Sequence, residues 1–369
     1  VLDGFEAARP SEQDAALRTL GRALGKVDGR GAQILALALG ALVEGGASPE
    51  LAWTAVGHDL AGLLERATSF ASAVVKHSGD QHVDTAIERS GAAVAKKKPR
   101  EADAWKATPS RCLAAVACLT RSKKLRSRVR KDRELVEACW PLSDVVSEIG
   151  YLLQALRIVD DETFLVLAPS AGRGWRVAVD AMPSNAELYV LLADVLLGDP
   201  KKGRLAGKRP DARAVAAIRE GVQPPKRASS VVLPFHLVAW TALEADGTLP
   251  PADPDETDHW IWMEGIPADI PLAPRNERVV LVQDAPYSRP VPVAPSFESL
   301  RPEVRLAAEL SADEVQKTLL KLGKAAAKAR PTTEDHAHPH ATPKAAHKTK
   351  AGSKTKTGSK KSPKRRTKA

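Results

Sequence analysis

The stretch that decides the fold runs Phe164-Leu-Val-Leu-Ala168, then Pro169-Ser-Ala-Gly-Arg-Gly174, then Trp175-Arg-Val-Ala-Val179. A short apolar run, a cluster of turn residues and a second, alternating run predict a β-hairpin. Residues 10–158, ahead of it, read as helix. Ser11 is the expected cap of the first helix, with Leu17, Leu20 and Leu24 on one face. Ile34 to Val43 is apolar on nearly all sides, as a central helix would be. Ser48-Pro49 and Thr108-Pro109 are helix-start signals, and Ser143 is expected to start a further helix.

Behind the hairpin, Ser184 caps a helix through Leu188, Leu191, Leu192 and Leu196, which Gly198 ends. Asp199 to Pro210 reads as a basic loop and Asp211 to Glu220 as a short helix. Further strands are expected at Ser230–Ala242, Trp260–Met263 and Arg278–Val282. Ser311-Ala-Asp-Glu314 is a capping box for a helix carrying Val315, Leu319 and Leu322. The strands lack regular crossover helices, so this region is α+β. The expected architecture is mixed. A flexible N-terminus spans 1–9, an all-α region 10–158, a smaller α+β region 159–322 and a disordered, Lys-rich tail 323–369. From Lys324 on there is no Val, Ile, Leu, Met, Phe, Trp or Tyr, so little apolar burial is there to offset ordering entropy. The preceding helix has room to extend toward Pro331.

Charge divides along the same line. From Lys324 to Ala369 there are 14 Lys/Arg and two acids, a net of +12, against 41 basic and 43 acidic residues in the remainder. The basic balance of the 369-residue chain belongs to one arm. Three cysteines, Cys112, Cys118 and Cys139, are too few and too widely spaced for a disulfide framework or a zinc knuckle. They read as buried thiols in a reducing compartment. The longest apolar run, Ile34–Val43, is about half of the ~18 residues a membrane span needs, so no membrane is expected. The N-terminus lacks the plan of a signal peptide, but the chain begins with Val, and an upstream segment stays open.

The arm carries Thr342-Pro343-Lys344 and Ser362-Pro363-Lys364-Arg365 among spaced lysines. In composition and in these motifs it resembles the C-terminal tails of linker histones. The resemblance covers about an eighth of the chain and does not extend to the folded body. It implies DNA association. Electrostatics gives the same expectation independently, because spaced cations lying along phosphates release condensed counterions, without a base code. The residues expected to meet phosphate are Lys344, Lys348, Lys350, Lys354, Lys356, Lys360, Lys361, Lys364, Arg365, Arg366 and Lys368. The plainer readings are a solubilising tail, or a nuclear import signal at Lys360–Arg366 if the source is eukaryotic.

Other candidates are weaker. Arg121 to Arg133 holds eight cations in thirteen residues, and a solvated helix face offset by neighbouring acids is favoured over a phosphate seat. Lys96–Arg100 and Lys201–Arg209 are weighed the same way. Gly203-Arg-Leu-Ala-Gly207-Lys208 and Gly21-Arg-Ala-Leu-Gly25-Lys26 each fall one residue short of a phosphate loop. His336, His338 and His340 alternate without supporting ligands, and Asp253, Asp255, Asp258 and His259 form a run that starts like a calcium loop but lacks its glycine. Ser170 lacks the glycine before it that a nucleophile elbow needs, and His58, His77, His82 and His236 have no partner nucleophile. Trp260 and Trp262 share one side of a strand, where core packing is favoured over stacking a sugar or base. No cofactor is expected. The leading expectation is a non-enzymatic, cytoplasmic or nucleoid-associated protein that binds DNA or another polyanion through its tail. The alternatives are a helical scaffold for a protein partner and an enzyme in 159–322, which a pocket lined by Asp253, Asp255 or His259 would favour.

Overall fold

The computed structural model describes residues 8–255 and 257–330. Its first part is all helix. α1 (Pro10–Leu24), α2 (Gly29–Glu44), α3 (Pro49–Val56), α4 (Leu60–Ser78) and α5 (Val83–Lys97) lead to α6 (Pro99–Arg121), the central helix, which packs against α2, α3 and α4. The short α7 (Lys123–Val129), α8 (Arg133–Cys139) and α9 (Ser147–Leu156) complete it. Several boundaries differ from expectation. The cap of α1 is Arg9, not Ser11, because Pro10 takes the first helical position and Glu12 reaches back to the Arg9 N–H. Pro109 lies inside α6 and starts nothing. Ala107, Thr108, Ser110 and Cys112 around it are all buried, and that packing outweighs the hydrogen bond proline removes. Ser143 follows a 3-10 turn at Trp140–Leu142, and α9 begins only at Ser147. In α2, Ile34 and Leu37 are 57% and 46% exposed, so that helix is not apolar-covered on all sides.

The hairpin forms as expected. β1 (Glu162–Ala168) and β2 (Arg173–Asp180) pair antiparallel, with Leu167 opposite Gly174. β1 also pairs in parallel with β8 (Glu277–Asp284), which is flanked by β6 (Phe235–Ala239), while β10 (Glu303–Glu309) lines the other edge on β2. The order is β10-β2-β1-β8-β6, with the two-residue β7 (Leu272–Ala273) also on β8. Short pairs join β3 (Leu197–Gly198) to β4 (Leu205–Ala206) and β5 (Ser230–Val232) to β9 (Pro290–Pro292). The sheet is covered on both faces, which is why β1 reads as a continuous apolar run. Phe164 and Val166 pack with α10 (Asn185–Leu196) and α11 (Ala212–Glu220), and Leu165 and Leu167 pack with α12 (Ala312–Ala329). The expected strand Ser230–Ala242 is interrupted at Leu233-Pro234, and Trp260–Met263 makes a single bridge, Val238 to Trp260, rather than a strand.

α12 continues past the point where disorder was expected. Residues 323–329 are helical, with Gly323 and Ala326 buried. Small residues suffice here because the helix comes so close to the chain beneath it. A Cβ on Gly323 would meet the Glu244 carbonyl oxygen at 2.1 Å and Gly247 at 2.7 Å. The expected tail residues from 331, and residues 1–7 of the expected N-terminal segment, lie outside the described residues.

The hydrophobic clusters change between Ile158 and Val159, but residues through Arg330 belong to one compact unit. Leu300, from the sheet part, is buried in the helical core with Phe297 against it. Polar contacts reinforce the junction. Arg126, buried, donates through Nε and Nη2 to Asp160 at 3.1 and 2.5 Å, and through Nη1 to the Leu119 and Thr120 carbonyls that end α6. Arg130 donates to the same carboxylate at 2.8 Å. Lys123 pairs with Asp161 and Asp180. Asp160→Ala would strand a buried guanidinium, so it should lower unfolding free energy by about 3–5 kcal/mol. Urea denaturation checks this, and a loss under ~1 kcal/mol would show that the pair adds little.

Candidate functional site

All eleven lysines and arginines expected to meet phosphate, Lys344 to Lys368, lie outside the described residues, as do His336, His338 and His340. The body's own basic cluster can be followed. Three of the eight cations between Arg121 and Arg133 turn onto acids: Lys123, Arg126 and Arg130. Arg121, Lys124, Arg128, Lys131 and Arg133 are exposed. In the Lys201–Arg209 loop, Arg209 joins Arg219 on Asp194. The glycine near-misses are structural. Gly203, with φ +74°, ends a 3-10 turn, and Gly21 lets α1 approach Ala55 of α3. The three cysteines are buried, and burial pushes the thiols of Cys118 and Cys139 up to about 12 and that of Cys112 up further. Ser170, His58, His77 and His82 are exposed at separate places in the fold.

One place gathers functional side chains. The Trp260–Gly265 segment lies along the edge strand β6, where Ala239 N–H donates to the His259 carbonyl and Ile261 N–H to that of Leu237. The first turns of α10 hold it from the other side. Asn185 donates to the Trp262 carbonyl at 2.8 Å, and Tyr189 to that of Ile261 at 2.9 Å, while the Tyr189 hydroxyl accepts from Leu237 N–H. This fixes Trp260 at the centre of an aromatic cluster, 4.6 Å from His236, 5.3 Å from Trp262 and 5.8 Å from Tyr287, ring centre to ring centre. The Arg289 guanidinium lies 5.2 Å over Trp262 and pairs with Glu264. Trp262 and Tyr287 are exposed, so the pair of tryptophans forms a surface cluster and not a sealed core. His236 is buried. Burial pulls its ring toward the neutral form, opposed by the neighbouring Asp284 backbone and Gln283 side chain. Neither ring nitrogen closes a hydrogen bond of good geometry.

Beside this cluster is a cleft of about 300 Å³ lined by Asp253, Asp255, Asp258, His259, Trp260 and Gln283, with Pro250 and Pro251 as its wall. The residues singled out as a polar loop are therefore brought to one cavity. Gln283 holds the wall by donating to the Pro250 carbonyl, and Thr241 Oγ1 meets His259 Nδ1 at 3.0 Å. Among the described residues no three His, Cys, Asp or Glu side chains are arranged to hold a metal ion, and no helix is long and apolar enough to cross a membrane. The sequence reading missed Gln283, Tyr287 and Arg289, whose roles depend on β8 running next to β6. No protein-family model, curated protein or solved structure matches the chain.

The turn of α10 that positions the tryptophans also carries Glu187, buried, with its carboxylate accepting from Ser296 N–H at 2.6 Å. Burial pushes this carboxyl up to about 7 from an ordinary 4.5, against the hydrogen bonds from Ser296 and Ser184. The folded state therefore holds its proton where the unfolded chain has lost it. The stabilisation is complete below pH ~4.5 and disappears as pH rises through ~7. Glu187→Gln should remove that component, so wild type minus variant stability should fall by on the order of 2–3 kcal/mol between pH 5 and pH 8. Urea unfolding of both proteins across that range checks it, and parallel pH profiles would contradict it.

Proposed function

We propose that this protein associates with DNA, or another phosphate polymer, through the cations beyond Arg330, and that it does so without catalysis. The observation that carries this reading is the division of charge. Residues 331–369 hold 11 Lys/Arg and two acids, against 44 basic and 43 acidic residues in 1–330. The body supports it by using its own cations internally: the basic stretch of α7 directs Lys123, Arg126 and Arg130 onto Asp160, Asp161 and Asp180. The surplus that phosphate would attract thus sits past Arg330, whose guanidinium is fastened to Glu244 and the Leu243 carbonyl. Linker-histone tails, which this segment resembles, bind DNA by the same counterion release. A nucleoid or nuclear location goes with this reading.

The test is duplex affinity by fluorescence anisotropy at several salt concentrations, for the full chain and for a chain ending at Arg330. If roughly half of the eleven cations engage, the full chain should show a log–log salt slope of about −5, from ~0.9 per contact. The shortened chain should lose most of its affinity. Equal affinity for the two would defeat the reading.

A second reading, a helical scaffold, rests on the exposure of Ile34 and Leu37, three residues apart on one face of α2. It would be favoured if the shortened chain kept one stoichiometric protein partner and lost it on Leu37→Glu.

A further inference from the structure

Trp260 belongs to two cavities at once. The smaller, about 40 Å³, is an aromatic recess formed by Tyr189, Phe235, Trp260, Trp262 and Tyr287, with His236 among its lining residues. The larger is the cleft of about 300 Å³ with Asp253, Asp255 and Asp258 on its lining and the Pro250-Pro251 wall.

Three observations point to the same kind of occupant. The first is charge. No Lys or Arg lines the larger cleft, and none of its three aspartates takes part in an ion pair among the described residues. A neutral ligand would leave those charges uncompensated, and a phosphate would be repelled. The second is the recess. Ring faces carry negative potential and attract cations, and this cluster already takes one, the Arg289 guanidinium on Trp262. The third is His236, only 8% exposed, whose ring nitrogens have no hydrogen-bond partner. A buried polar group left so costs about 1–3 kcal/mol, and the neutral ring has one nitrogen free to accept from an N–H donor.

We propose that the two cavities form a single site for a protonated aliphatic amine with at least two ammonium groups. One ammonium sits in the aromatic recess beside His236. The methylene chain lies along Pro250 and Pro251. The second ammonium is held among Asp253, Asp255 and Asp258. Binding here is independent of the cations beyond Arg330.

Calorimetric titration of the full chain with spermidine at physiological salt tests this. Saturable binding of one spermidine per chain is expected. Asp253→Asn/Asp255→Asn/Asp258→Asn, all at exposed positions, should weaken it at least ~tenfold, as should Trp262→Ala. Asp84→Asn/Glu88→Asn, at exposed carboxylates on α5, should leave it within about twofold. Absence of spermidine binding, equal affinity in the triple variant, or equally strong binding of glucose would each overturn the proposal.

Discussion

Asp160 is the residue at which the helices give way to the sheet, and its carboxylate is shared by Arg126 and Arg130. Arg126 is the more constrained partner. It also takes the carbonyls at the end of α6, so one guanidinium ties the central helix, α7 and the entry to β1 together. The side chains are 3% and 7% exposed, and such a pair is retained only if every donor and acceptor has a partner. That requirement fixes where β1 begins. The position of β1 then sets its partners β2 and β8, and through β8 the edge strand on which Trp260 lies. The cluster and its cleft thus sit at the far side of the sheet from β10, on elements whose placement follows from this junction.

Much of this was legible because it is local. The hairpin announces itself through period-two alternation around a Gly-containing turn, and Ser184 and Ser311 each cap a helix with the bond their sequence implies. The misreadings occur where distant residues decide. Pro109 looks like a helix start because its own chemistry favours one, yet the packing of α6 against three helices keeps it helical. β10 was not foreseen. Its burial pattern shows one strongly buried residue, Val304, on an edge strand with a bulge, so little periodicity survives. Residues 323–329 lack large side chains, and what orders them is a glycine fitted against the 244–247 turn, which no composition rule detects.

The site divides in the same way. Trp260, Trp262 and the aspartates of 253–258 stand out in sequence by type and spacing. That they line cavities, and that Gln283, Tyr287 and Arg289 join them, depends on the antiparallel pairing of His236 with Gln283 across β6 and β8. The near-misses of phosphate loops dissolve for a related reason. Their glycines serve a turn and a helix crossing, so the spacing that resembled a motif answers to packing.

The two kinds of charge in this chain respond differently to salt. The Asp160 pairing is buried, so mobile ions screen it weakly, whereas exposed charges more than about 8 Å apart are largely screened at physiological ionic strength. Cations that act by displacing counterions lose their advantage as the bulk salt rises. Ionic strength should therefore release a phosphate polymer well before it loosens the junction between helices and sheet. A protein with its basic residues neutralised within the body and its surplus gathered past Arg330 separates association from folding, so the first can be tuned without disturbing the second.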